Sequence, residues 1–74
     1  MISFEKNINK ETFEIHLDTE GIDKLIAVLV KLKTAANSDH IHLQTKSYGG
    51  NELSEETQGI DNEILNQLDL FYWK

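Results

Sequence analysis

A chain of 74 residues with a formal net charge of −6 and no cysteine holds one domain and a small core, with no disulfide or thiolate metal site to reinforce it. The acid surplus and the absence of arginine argue against an electrostatic grip on nucleic acid or anionic membranes. No apolar run approaches the roughly 20 residues of a membrane span, and Met1-Ile2-Ser3-Phe4-Glu5 lacks the basic and apolar regions of a signal peptide, so the expectation is a single cytoplasmic domain over residues 1–74.

Ile2 and Phe4 open the chain as a short strand, and Asn7-Ile8-Asn9 reads as a hairpin turn because Asn tolerates positive φ. A second strand follows, with Phe13, Ile15 and Leu17 alternating against Thr12, Glu14 and His16. Asp18 or Thr19 can then cap a helix from about Glu20 to Ala36. Its apolar stripe is Ile22, Leu25, Ile26, Leu29, Leu32 and Ala36, and its opposite face is Asp23, Lys24, Ala27, Lys31 and Thr34. Gly21 weakens the first turn, and Asn37 and Ser38 suit a stop. Ile41 and Leu43 alternate with His40, His42 and Gln44 as a third strand. The segment from Ser47 to Asn62 has no sustained period and holds Gly49, Gly50 and Gly59; it is a long connection or hides a short strand near Glu52-Leu53-Ser54. A last strand sets Ile64, Leu68, Leu70 and Tyr72 against Gln67, Asp69, Phe71 and Trp73. The predicted fold is α+β: a two-layer sandwich in ββαββ order, with one helix packed on a sheet of about four strands.

Such a sheet leaves one face uncovered, and parity assigns to it Glu14, His16, His40, His42, Gln44, Gln67, Asp69, Phe71 and Trp73. All three histidines and two large aromatics fall there. Aromatics grouped on an open face mark interaction surfaces. His40-x-His42 with His16 from a neighbouring strand offers a three-imidazole metal set, with Glu14 or Asp69 as a fourth group. The plainer alternative is that His40 and His42 merely alternate with buried Ile41 and Leu43. Parity alone does not say which strands are neighbours. Ser38, Ser47 and Ser54 occupy no nucleophile elbow, Gly49-Gly50 without a following Lys-Ser/Thr is no phosphate loop, and Glu55 and Glu56 lack a deep pocket for acid–base work. The expectation is a protein without enzyme activity and without a cofactor.

Charge is concentrated late in the chain. Between Ser47 and Trp73 stand six carboxylates, Glu52, Glu55, Glu56, Asp61, Glu63 and Asp69, with no lysine or arginine. A solvated acidic loop is the ordinary reading. Beside the outward Phe71 and Trp73, the same run makes a negative rim around an aromatic centre, the anatomy of a surface for a basic protein partner.

The succession Glu20-Gly21-Ile22-Asp23-Lys24-Leu25, His40-Ile41-His42-Leu43, Tyr48-Gly49-Gly50-Asn51-Glu52-Leu53-Ser54 and a closing aromatic strand resembles the small bacterial immunity proteins of the immunity protein 32 family, found beside polymorphic or contact-dependent toxins. The resemblance runs from about residue 13 to the C-terminus. It implies an inhibitor that binds a cognate toxin, with Tyr48 filling the family's aromatic position before Gly-Gly. The expected partner-binding residues are Tyr48, Glu52, Glu55, Glu56, Asp61, Asp69, Phe71 and Trp73, facing a basic toxin cleft such as a nuclease carries. Two other readings stay open: a metal-binding domain or small metal enzyme on His16, His40 and His42, and a homo-oligomeric module, such as a homodimer, closed over Phe71 and Trp73.

Overall fold

The computed structural model describes residues 1–74, in the order β1 (Ile2–Asn7), β2 (Phe13–Leu17), α1 (Thr19–Lys33), β3 (Asp39–Gln44), a 3-10 turn at Lys46–Tyr48, β4 (Asn62–Ile64) and β5 (Gln67–Tyr72). It is a mixed α/β fold with one helix. The single four-stranded sheet expected from periodicity is instead two antiparallel sheets, β2-β1-β4 and β3-β5. The last predicted strand divides at Leu65 and Asn66. Leu65 N–H still donates to the Phe4 carbonyl at 2.9 Å beside β1. Asn66 already belongs to the other sheet: its carbonyl accepts from Thr45 N–H at 3.0 Å and its side chain from the buried Thr45 hydroxyl at 2.8 Å.

The two sheets are stitched by the segment suspected of hiding a strand. Leu53 N–H donates to the Gln44 carbonyl at 3.1 Å, and Ser54 N–H to the Ile2 carbonyl at 2.7 Å. Leu53 forms a single parallel bridge with Thr45 rather than a strand. Its side chain joins Ile2 and Leu43 as the buried centre, with Phe4, Leu17, Leu25, Val28, Ile41, Leu68 and Leu70 packed around it.

Asp18 caps α1, its carboxylate accepting from Gly21 N–H at 2.7 Å. Gly21 is buried, and a Cβ there would sit 1.9 Å from the Met1 carbonyl oxygen. The residue that weakened the helix prediction is thus the one that lets the start of the chain cross the first turn. The helix ends at Lys33, three residues before the predicted Ala36, because Thr34 leaves helical geometry (φ −88°, ψ 1°) while its hydroxyl donates to the Lys31 carbonyl at 3.0 Å. The stripe also needs correction. Leu25, Val28 and Leu32 turn inward, whereas Ile22, Ile26 and Leu29 of the predicted core face are exposed. No helix is long and apolar enough to cross a membrane.

Candidate binding surface

On the β3–β5 sheet, His40 stands opposite Phe71, His42 opposite Asp69 and Gln44 opposite Gln67. Directly opposed residues share a face, and this one points away from the core that holds Ile41, Leu43, Leu68 and Leu70. The rings form a continuous row. Ring centroids lie 4.8 Å apart for His42 and His40, 5.4 Å for His40 and Phe71, and 6.3 Å for Phe71 and Trp73. Such spacings give stacking and edge contacts beyond simple burial. The row is nonetheless open to water, with Phe71 58% and Trp73 80% exposed.

A polar chain continues from the rings. His42 Nδ1 lies 2.5 Å from Asp69 Oδ1, the Gln67 amide donates to Asp69 at 2.8 Å, and the Gln44 amide donates to Gln67 at 2.8 Å. The His42 hydrogen bond first, then the Gln67 bond, hold the Asp69 carboxyl below the usual aspartate range. Asp69 is therefore a fixed anion beside the rings. At the other end, Ser38, Asp39, His40, Phe71, Tyr72 and Trp73 line a shallow hollow of about 180 Å³. Aromatic faces with a carboxylate at the lip suit the head of a lysine or arginine, which gains from both ring quadrupole and charge. Beyond Trp73 the chain end is tied down, the Lys74 backbone N–H donating to the Ser38 hydroxyl at 3.0 Å and its ammonium to the Ala36 carbonyl at 3.0 Å.

The acidic connection is not a free loop. Glu52 accepts from the Gln44 N–H at 3.0 Å and the Asn51 N–H at 3.1 Å. Glu55 accepts from both the hydroxyl and the N–H of Ser47 at 2.6 Å, which lowers its pKa and caps the turn that presents the exposed Tyr48. Gly49 ends that turn at φ +93°, where a side chain would be strained. Glu56 uses its carbonyl to accept from the Ser3 hydroxyl at 3.3 Å. Asp61 (φ 59°) lies against the β1–β2 turn, accepting from the Asn9 amide at 3.3 Å. The structure thus brings Asp69, Phe71 and Trp73 together with His40 and His42. It holds Glu52 on the main chain of β3, where it lines the hollow beside Val28 and Leu43 rather than the aromatic face, bonds Glu55 to the turn that carries Tyr48, and places Asp61 with the other sheet.

His16 does not join His40 and His42. It lies on β2, in the three-stranded sheet, with Nε2 2.7 Å from Glu14 and 3.9 Å from Glu5. No group of three or more His, Asp or Glu side chains is placed to hold a metal ion. The three-imidazole set therefore fails on strand placement: parity put the residues on one face but not in one sheet.

Sequence reasoning missed Glu5. Its carboxylate is wholly buried, and it accepts from the Ser3 hydroxyl, the N–H groups of Gln58 and Gly59 (each 3.0 Å) and the Asn62 amide (2.9 Å). Burial opposes its ionisation, but the bonds from Ser3, Asn62, Gly59 and Gln58 outweigh it and bring its pKa down to about 2. This buried anion fixes the acidic connection from inside. Alternation with Ile2 and Phe4 sets Ser3 and Glu5 on the face opposite the core, where a solvated carboxylate is the natural expectation; the cover comes from Gln58, Gly59 and Asn62, too distant in sequence for periodicity to show. Asp39, which lines the aromatic hollow, was also missed, since it opens β3 one residue before the alternation that begins at His40.

No protein-family model, curated protein or solved structure matches this chain.

Proposed function

We propose that this chain is a protein-binding inhibitor of the immunity type, neutralising a toxin domain in the cytoplasm of the cell that makes it by covering a basic surface. The observation that carries this reading is the open row His42–His40–Phe71–Trp73, ending in a hollow with Asp39 at its lip. Two exposed, mutually stacked aromatics bordered by fixed carboxylates are what an interface for cationic side chains requires. The sequence resemblance to toxin-neutralising proteins supplies the class of partner. In this mechanism a lysine or arginine of the toxin enters the hollow, Trp73 and Phe71 are desolvated around it, and Asp69 and Tyr48 form the flank. Net charge then raises the association rate.

The test is co-expression with the gene immediately upstream, scoring growth rescue and co-purification of its product. Rescue with a stable complex, lost in Trp73→Ala and in Asp39→Asn, supports the reading. Rescue that survives both substitutions moves the interface off this face, and absence of rescue and of any complex overturns the immunity assignment.

A further inference from the structure

We infer that the outward stripe of α1 is a contact between two copies of this chain, their helices packed antiparallel about a two-fold axis. Ile22, Ile26, Leu29 and Val30 recur at helical spacing and are each 46–55% exposed. Leu25, Val28 and Leu32 already supply the helix's contact with the core, so this second stripe has no role within one chain. Phe13 and Ile15, on the sheet face that also carries Leu17, are exposed apolar residues as well. A run of large apolar side chains on a helix seldom remains in water.

The size of the uncovered surface fits a dimer. The chain exposes 5280 Å², whereas a folded monomer of its mass exposes about 4,650 Å². Its radius of gyration of 13.0 Å likewise exceeds the roughly 11 Å expected for its length. The excess of about 600 Å² approaches the roughly 800 Å² per partner that a stable interface buries.

Charge along the helix favours a second copy over an unlike partner. Its N-terminal end carries Glu20 and Asp23, with Lys24 paired to Glu20 at 3.0 Å and Asp23 left as the net negative charge, and its C-terminal end carries Lys31 and Lys33. An antiparallel pair sets each acidic end beside the basic end of the other copy and aligns the helix dipoles favourably; a parallel pair would set like charges together. With the two-fold axis level with Val28, Ile26 of one copy faces Val30 of the other and Lys33 stands opposite Asp23. Such self-complementarity is what a two-fold interface requires. The contact uses none of the residues of the aromatic row, which faces away from α1.

Sedimentation equilibrium of the full chain from about 1 to 200 µM tests this, a range that detects micromolar association. Wild-type protein is expected to be dimeric in the upper part of that range. Ile26→Lys, an exposed position, should weaken the dimer by about tenfold or more with the circular dichroism spectrum unchanged. Lys33→Glu should weaken it, and adding Asp23→Lys should restore it; this rescue decides the matter even if Ile26→Lys folds poorly. A wild-type monomer at the top concentration overturns the inference. So does a dimer as tight in Ile26→Lys as in wild type, one that Asp23→Lys fails to rescue, or one broken by Trp73→Ala instead.

Discussion

Glu5 shows how one residue can fix a segment fifty positions away. Four donors converge on its buried carboxylate, three of them from the connection itself, at Gln58, Gly59 and Asn62. Glu5→Gln would present an amide to those donors and leave some unpaired, costing roughly 2–4 kcal/mol; urea unfolding should show the loss. The pH dependence has a definite sign. A carboxyl whose folded pKa is depressed to about 2 contributes stability above its unfolded value of about 4.3, and that contribution disappears as pH falls toward 2. Wild type should therefore lose stability between about pH 5 and 2, and Glu5→Gln should lose less across the same interval. A mutant as acid-sensitive as wild type would place the titration elsewhere. Gly21→Ala belongs to the same scale. Its methyl group would collide with the Met1 carbonyl, so a substitution that ordinarily favours a helix by up to about 1 kcal/mol should here destabilise by at least that amount in the same measurement.

At the scale of elements, the aromatic row is a property of the β3–β5 pair and not of any single side chain. Register sets His40 against Phe71, and the stack carries on to Trp73. Removing the last ring by Trp73→Ala should cost about 2 kcal/mol of affinity for the proposed partner if this is a binding hot spot and under about 0.5 kcal/mol of fold stability, as suits an exposed residue; calorimetric titration against that partner and thermal melting separate the two. Most elements were legible in the sequence because alternation of period two and a stripe of period near 3.6 are local properties. Ile41 and Leu43 inward with His40 and His42 outward follows from parity alone. Parity could not say that His16 lies in the other sheet, since strand adjacency depends on where the chain crosses at Leu65 and Asn66. Nor could it divide the helix stripe. Leu32 and Ile26 are equally apolar, and only packing shows that one is 6% exposed and the other 54%. The acidic connection was legible as charge but not as structure, because its order comes from Glu5 and from the Ser47–Glu55 cap, pairings distant in sequence or outside any period.

For the whole molecule, a small buried centre and a large exposed apolar stripe point to stability that depends on assembly. Only eight residues are buried, so the isolated chain has little apolar burial to set against the conformational entropy of folding. Covering the α1 stripe with a second copy would link folding to association, since a partner that binds only the folded chain stabilises it by mass action. Raising the protein concentration about 100-fold adds roughly 2.7 kcal/mol per dimer, half of it per chain. For a domain of this size that should lift the melting temperature by about 5 °C or more. Ile26→Lys should move this dependence to at least about tenfold higher concentration, so that at a given concentration its melting temperature lies nearer that of dilute wild type. A wild-type midpoint that stays fixed over the same range would mean that the core around Ile2, Leu43 and Leu53 holds the fold alone, with the helix stripe contributing nothing through assembly.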